Sequence, residues 1–152
     1  MAKKKATKKK TVKKTVKKTV KKKAKPAVRR SKARSRTQAD IAKEFAIASA
    51  KVAVDRHCTD VVVMDLRGMS PATDFFVIAT GTSDRQSRSV ADEIADNGKK
   101  IGQRVFGRAG YEQGRWILLD FVDVVVHIFD AEYRGYYDLE LLWGDAARLS
   151  IE

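Results

Sequence analysis

Two aspartates and a glycine-containing turn are the residues that could support metal-assisted chemistry on a phosphate. Gly81-Thr82-Ser83 precedes a predicted helix, where backbone amides can receive a phosphate group. Nucleotide transfer also needs two or three carboxylates that converge on magnesium ions. Asp120 and Asp123 are the nearest match, but they lie at a predicted hairpin tip, and no Gly-Ser turn is followed by Asp-x-Asp. We therefore expect these carboxylates to face solvent or a partner, and we predict no catalytic residues.

A nucleophile or a metal site is equally hard to assemble. Cys58 is the one cysteine, which excludes an internal disulfide, and with only two histidines the chain lacks the four ligands of a usual zinc site. His57 and Cys58 are adjacent at a helix end, where neighbouring side chains rarely point at each other, and His127 has no nucleophile to activate. The sequence predicts neither a metal nor a cofactor.

The periodicity of apolar residues predicts one α/β domain, of the α+β sandwich type, over residues 37–152. Expected helices span 38–54, the segment from a cap at Thr82 or Ser83 to about 102, and 131–142; expected strands span 60–66, 74–80, 104–108, 115–121 and 123–129. Leu139, Leu142 and Trp143 are expected to anchor the last helix. This order favours a mixed, mostly antiparallel sheet with helices packed on it.

The last two predicted strands have two chemically different faces. A two-residue turn at Phe121-Val122 would place Trp116 opposite His127. One face is then wholly apolar and must be core: Ile117, Leu119, Phe121, Val124, Val126 and Ile128. The other face is a mixed surface typical of a protein contact: Trp116, Leu118, Asp120, Asp123, Val125 and His127. A helix that covers the tryptophan and the leucine is the alternative interpretation.

Positive charge is concentrated at the N-terminus. Residues 1–36 contain 19 Lys or Arg and no Asp or Glu, whereas residues 37–152 contain 13 basic and 19 acidic residues. Three Thr-Val-Lys-Lys repeats span residues 11–22, and we expect this tail to be disordered when free and to bind an RNA or DNA backbone by counterion release. Its expected contacts are Lys13, Lys14, Lys17, Lys18, Lys21, Lys22, Arg29 and Arg30. A solubilising tail and a mitochondrial or plastid transit peptide are the alternatives.

The apolar runs of the sequence are too short to predict a membrane-spanning helix or a secretory signal. No run approaches the roughly 20 residues of a membrane-spanning helix, and no apolar block follows the basic N-terminus as in a secretory signal. With its single cysteine the chain is expected in a reducing compartment, the cytoplasm, or in an organelle if the tail is a transit peptide.

Five segments of the folded part together resemble the ribosomal silencing factor family, also called Iojap-like proteins. They are Val61-Val-Val-Met-Asp-Leu-Arg-Gly68, Thr73-Asp-Phe-Phe-Val-Ile-Ala-Thr-Gly-Thr-Ser-Asp-Arg-Gln86, Arg115-Trp-Ile-Leu-Leu-Asp120, Asp123-Val-Val-Val-His127 and Tyr136-Tyr-Asp-Leu-Glu-Leu-Leu-Trp143. Val122 departs from the family, which usually has glycine in this turn, and the tail is not covered.

The resemblance implies a fold similar to nucleotidyltransferases without their catalytic site, and a protein that is not an enzyme. It implies docking on the large ribosomal subunit through ribosomal protein L-fourteen, which blocks subunit joining and represses translation when nutrients are short. A homodimer of the free protein is compatible with it. The contact residues that it implies by position are Trp116, Leu118, Asp120, Asp123 and His127, with Asp74, Ser83, Asp84 and Arg85 as further candidates. Ser83 and Asp84 could equally cap a helix.

A nucleic-acid-binding protein driven by its tail is the competing hypothesis. The acidic folded part is expected to offer no basic, aromatic-rich surface, so the tail would be its one nucleic-acid surface. As an rRNA tether the tail would add effective concentration to a weaker protein contact. The acidic folded part complements the basic charge expected of ribosomal proteins.

Overall fold

A computed structural model describes residues 36–152, which form a compact unit of their own. In chain order its elements are α1 (Arg36–Asp55), β1 (Thr59–Asp65), β2 (Phe75–Thr80), α2 (Asp84–Lys100), β3 (Gly107–Ala109), β4 (Trp116–Asp120), β5 (Val124–Phe129), α3 (Ala131–Tyr137), α4 (Leu139–Leu142) and β6 (Ala147–Leu149). The tail residues predicted to bind nucleic acid lie outside the described residues.

The strands form one mixed sheet in the order β3-β4-β5-β2-β1-β6. Every neighbouring pair is antiparallel except β2 and β5, which run parallel. A parallel pair needs a long connection, and here α2, β3 and β4 lie between the two strands in sequence. The predicted fold class, a mostly antiparallel sheet with helices packed on it, is confirmed.

Helices α1 and α2 cover one face of the sheet. The buried side of α1 is built mainly from alanines, Ala42, Ala46, Ala50 and Ala53, with Phe45 among them, and small side chains let a helix approach a sheet closely. On the sheet side, the predicted apolar face is fully buried: Ile117, Leu119, Phe121, Val124, Val126 and Ile128. The prediction that this face forms the core is therefore confirmed.

The opposite face of the sheet is covered only in part, by the C-terminal segment. A second buried cluster contains Met64, Leu66, Ile78, Phe129 and Ala146, and Leu139 and Trp143 pack against it. Two of the three expected anchors are thus confirmed. Leu142 is exposed, and its assignment as an anchor was wrong.

The helix expected over 131–142 is interrupted at Asp138, which explains the position of Leu142. Asp138 has a left-handed backbone (φ 43°), ends α3, and accepts a hydrogen bond from the Leu141 N–H that starts α4. Aspartate tolerates this conformation better than most residues, so the chain turns here and the helix is split.

Strand β6 was not predicted. It is only three residues long and pairs antiparallel with β1, Val63 opposite Leu149, and so short a segment has no periodicity of its own. The strand expected over 104–108 begins later, at Gly107.

The β4–β5 hairpin has a different register from the expected one. Trp116 lies opposite Phe129, and Leu118 lies opposite His127. Val122 adopts φ 74°, the turn residues are Val122 and Asp123, and the Val122 N–H donates to Asp120 Oδ1 at 2.8 Å. Because the pairing shifts by an even number of residues, the side chains of β4 and β5 stay on their predicted faces, whereas Asp123 becomes a turn residue and leaves the mixed face.

Candidate protein-binding surface

The ribbon face is the side of β4 and β5 that points away from α1 and α2. It carries Trp116, Leu118, Asp120, Val125, His127 and Phe129. Leu118, Asp120 and Val125 are half-buried, so this part of the sheet remains accessible. The face therefore combines apolar area with one carboxylate, as a protein contact surface does.

Trp116 and His127 meet across the two strands. The Trp116 Nε1–H donates to His127 Nδ1 at 3.1 Å. An indole nitrogen only donates, so His127 Nδ1 must accept and the imidazole proton lies on Nε2. Nε2 is buried and meets no hydrogen-bond partner in the described part of the chain.

Burial determines the charge of His127. Its side chain is 4% exposed, and this burial lowers the pKa of His127 from 6.5 to about 4. A low dielectric disfavours the charged form, so the imidazole is neutral at pH 7 and able to accept the indole proton. His127 is a buried member of the ribbon face, and its hydrogen bond supports Trp116.

Aromatic stacking fixes the indole from its other sides. The ring of Trp116 stacks on Phe129 with centroids 4.9 Å apart and contacts Tyr137 at 4.5 Å. Tyr137 also contacts Tyr133, over which the Arg115 guanidinium lies at 4.1 Å. These contacts hold a half-buried tryptophan in one orientation, which reduces the entropy lost on binding a partner.

Exposed apolar side chains continue the surface beyond the ribbon face. Tyr136, Leu141 and Leu142 of α3 and α4 are largely exposed, and Tyr137 is partly so. Sequence reasoning missed them because it assumed one continuous helix whose leucines face the sheet. Tyr136 contacts Tyr137, which contacts Trp116, so these tyrosines extend the ribbon face, and exposed apolar area of this kind usually marks an interaction site.

The two carboxylates of the hairpin tip have different environments. Asp120 is half-buried, and its side chain holds the turn through the Val122 N–H. Asp123 is buried, and its backbone carbonyl accepts from the N–H groups of Asp74 and Phe75 at 3.0 Å each. Asp123 and Asp74 thus connect the hairpin to the start of β2. Asp120 is the more accessible of the two carboxylates, and the expectation that Asp123 faces solvent or a partner was wrong.

Side chains at the N-terminus of α2 already occupy the amides of Thr82, Arg85 and Gln86, which leaves less of this helix end for a phosphate. Ser83, one of the two residues expected as a cap, is the N-cap and accepts from the Gln86 N–H at 3.1 Å. Gln86 in turn accepts from the Thr82 N–H at 2.6 Å, and Asp84 pairs with Arg88 at 3.0 Å. The side chains around Gly81 satisfy the helix end themselves. Arg85 is exposed beside them.

Other features of the described residues suggest no reaction centre. No group of three His, Cys, Asp or Glu side chains there is placed to hold a metal ion. Cys58 is buried, and burial raises the pKa of its thiol, which disfavours the reactive thiolate. Within residues 36–152 no helix is long and apolar enough to cross a membrane.

One cavity of about 330 Å³ lies between α1 and α2, away from the ribbon face. Its lining is largely apolar, and Ser49 contributes a buried hydroxyl that has no hydrogen-bond partner among the described residues. Lys100 and Asn97 add polar groups to the lining.

Solved structures define the class of fold. A crystal structure of a protein from Chromobacterium violaceum shares it with a TM-score of 0.63 and 32% identity, over 69% of this chain and 85% of that one. A protein from Bacillus halodurans matches with a TM-score of 0.59 and 34% identity, over 70% of this chain and 94% of that one. The chain is therefore a small α+β domain of a kind already seen in bacteria.

Sequence comparison identifies the family. Residues 38–152 match the model of the family described as ribosomal silencing factor during starvation. The ribosomal silencing factor RsfS of Bacillus subtilis is 41% identical over 104 residues, which cover 68% of this chain and 88% of that protein. The chloroplastic protein Iojap of Zea mays is 36% identical over 107 residues, 70% of this chain and 46% of that protein. The chain belongs to the ribosomal silencing factor family.

Proposed function

We propose that this protein associates with the ribosome and silences translation without being an enzyme. It docks on the large subunit through ribosomal protein L-fourteen and, once bound, excludes the small subunit by its bulk. Family membership over residues 38–152 supports the ribosome-associated role. Such steric blocking requires a stable contact surface and no reacting groups.

The single observation that carries the proposal is the fixed, half-exposed Trp116 at the open end of the ribbon face, opposite the hairpin turn. Tryptophan is among the residues that most often dominate binding at protein interfaces. Leu118 and Asp120 lie on the same strand and face as Trp116, so an apolar anchor is flanked by a carboxylate. His127 and Asp123, which are buried in the isolated chain, act by holding this surface in place.

Charge supports the same partner class. Residues 37–152 contain 13 basic and 19 acidic residues, a net charge of −6. An acidic surface attracts a basic ribosomal protein and orients the encounter. Asp74, Ser83, Asp84 and Arg85 remain proposed contacts at the margin of this surface.

The tail adds a second attachment in this proposal. Its lysines and arginines contact the rRNA backbone, so the folded part stays near its protein site. We place the protein in the cytoplasm, or in an organelle if the tail is a transit peptide, since the relatives include bacterial proteins and chloroplastic ones. The exposed Tyr136, Leu141 and Leu142 are the surface that a homodimer of the free protein would use.

Binding of the full-length protein to isolated ribosomal protein L-fourteen, measured by calorimetry, tests the contact. We expect Trp116→Ala to weaken binding by about 2 kcal/mol or more, and Leu118→Ala to weaken it without the loss of aromatic packing. Val54→Ala is the control, because Val54 is exposed on α1, which covers the opposite face. Unchanged affinity in both ribbon-face variants would reject this surface.

Subunit joining, followed by light scattering of mixed small and large subunits, tests the mechanism. The full-length protein should prevent the increase in scattering, and Leu118→Ala should restore it. Sedimentation separates the competing hypothesis: enrichment with free large subunits supports silencing, whereas a spread over bulk nucleic acid supports a protein driven by its tail.

A further inference from the structure

The segment from the last turn of α2 to the start of β3 is locally basic although the folded part is acidic. Residues 99–108 contain Lys99, Lys100, Arg104 and Arg108 and no Asp or Glu. We propose that this segment is a second RNA-binding surface, at which the cations contact phosphates and Phe106 stacks on an unpaired base. We expected no such surface, because the net charge of residues 37–152 conceals this local concentration.

Three of these cations are available without the loss of an ion pair. Of the 13 basic residues in 37–152, seven pair with a carboxylate of the described chain, all of them arginines: Arg56, Arg67, Arg88, Arg108, Arg115, Arg134 and Arg148. The six without such a pair in residues 36–152 are Lys43, Lys51, Arg85, Lys99, Lys100 and Arg104. Three of these six, Lys99, Lys100 and Arg104, therefore lie within residues 99–104.

Phe106 gives the segment an aromatic platform. Its side chain is 78% exposed, and Ile101 nearby in sequence is also exposed. The backbone of Phe106 is held in place, because its N–H donates to the Asp120 carbonyl at 2.7 Å and β3 begins at the next residue. An exposed ring on a rigid backbone beside unpaired cations is the arrangement used to bind single-stranded RNA by stacking.

Helix stability explains only part of this composition. Lys99 and Lys100 lie in the last turn of α2, where positive charge stabilises the carbonyl end of a helix. Arg104 and Phe106 lie beyond that turn and gain nothing from it. An exposed phenylalanine has an unfavourable contact with water, which a stacked base would remove.

The position of the segment fits the proposed function. The inference that this segment meets RNA at the ribosome rests on that proposal. Phe106 is hydrogen-bonded to the backbone of Asp120, whose side chain belongs to the ribbon face. If the ribbon face is seated on a ribosomal protein, the basic segment lies at the border of that contact. The surroundings of a ribosomal protein are largely rRNA, so an RNA-binding border would extend the contact.

Two triple variants of the protein without residues 2–36 test the role of the cations, because the basic tail would itself bind an RNA probe and the ribbon face and the basic segment both lie within the compact unit Arg36–Glu152. Lys99→Ala with Lys100→Ala and Arg104→Ala removes the proposed contacts, and Lys43→Ala with Lys51→Ala and Arg148→Ala removes the same charge elsewhere, at residues outside the proposed protein contact. The probe is a single-stranded RNA of about 12 nucleotides. Because each lost phosphate contact reduces the log-log salt slope by about 0.7, the first triple should flatten it by about 2 and the control should not. Equal slopes for the two triples would overturn the proposal.

Substitutions of Phe106 in the same protein without residues 2–36 test stacking. Phe106→Ala should weaken RNA binding by about fivefold to about 150-fold, Phe106→Leu should weaken it nearly as much, and Phe106→Trp should retain it. Full retention by leucine would exclude stacking, and binding of the segment to anionic vesicles but not to RNA would overturn the assignment. All of these variants should still bind isolated ribosomal protein L-fourteen, so failure here is distinguishable from failure of the proposed function.

Discussion

Trp116 and His127 are diagonal neighbours across β4 and β5, and the indole Nε1–H of the first donates to the Nδ1 of the second at 3.1 Å. One residue is half-exposed and the other is buried. The orientation of a surface side chain therefore depends on the protonation state of a buried one, because a doubly protonated imidazole cannot accept the bond.

The neutral burial of His127 should make stability depend on pH. In the unfolded chain His127 takes up a proton below pH 6.5, whereas the folded chain resists protonation until about pH 4. The unfolded state thus binds more protons in this window, and stability falls as pH decreases, by about 3 kcal/mol over the whole window. Above pH 6.5 the contribution is complete.

Urea unfolding of the wild type and of His127→Gln between pH 7 and pH 4 measures this effect. The glutamine keeps an acceptor but does not titrate, so the difference in unfolding free energy between the two proteins isolates His127 from the carboxylates. A difference that stays constant across the window would contradict the buried, neutral imidazole.

Two arginines that share one glutamate should differ in their contribution to stability. Arg134 donates to Glu140 at 2.6 Å and to Thr80 at 2.8 Å with its side chain 12% exposed, whereas Arg148 reaches Glu140 at 3.5 Å with its side chain 60% exposed. Arg134→Ala leaves a shielded carboxylate without its main partner, so we expect a loss of about 2 to 3 kcal/mol. Arg148→Ala should cost less than about 1 kcal/mol.

Chemical denaturation of the two variants provides the comparison. Because Arg134 joins α3, α4 and β2, its loss should also increase hydrogen exchange in residues 131–142. Equal losses of stability in both variants would show that the Arg134 network does not hold the C-terminal segment.

The hairpin turn contains backbone strain that a substitution can relieve. Val122 has φ 74°, a region that β-branched residues adopt at a cost of about 1 to 3 kcal/mol. Glycine removes this strain, but its greater conformational freedom in the unfolded chain lowers the unfolding free energy by about 0.5 to 1 kcal/mol. We expect Val122→Gly to raise the unfolding free energy by about 1 kcal/mol, measured by thermal or urea unfolding.

Val122→Asn is the matched variant, because asparagine tolerates positive φ without the entropy of glycine. It should also stabilise the protein. A destabilising effect of both substitutions would mean that the Val122 side chain contributes packing that outweighs the strain.

The two faces of the β4–β5 ribbon could be predicted from sequence, but its register could not. Alternation has a period of two, so Ile117 and Leu119 are assigned to the core whichever even shift the pairing adopts. The register depends on whether Val122 accepts a positive φ, which a propensity argument counts as unfavourable. The Asp120 side chain supports that turn, and this bond is visible only in the structure.

Burial within the mixed face was also beyond the sequence. Alternation assigns Trp116, Leu118 and His127 to one face and does not say which of them the C-terminal segment covers. The break at Asp138 directs Leu139 and Trp143 to the sheet and leaves Leu141 and Leu142 exposed. A helical pattern over 131–142 does not indicate that break, since one aspartate within the pattern lowers helix propensity only slightly and does not by itself mark a helix end.

Deletion of residues 2–36 tests the tail, which carries 19 positive charges and no negative ones. If about six of these residues neutralise phosphates of single-stranded or irregular rRNA, each contributes about 0.7 to the log-log salt slope, or about 4 in total. We therefore expect the truncated protein to bind the large subunit more weakly and with a salt slope flatter by about 4. The truncated protein should still bind isolated ribosomal protein L-fourteen, because the ribbon face lies within the compact unit Arg36–Glu152. Co-sedimentation with large subunits between about 50 and 200 mM salt provides the measurement, and equal slopes for the two proteins would make the tail a solubility or targeting element instead of a tether.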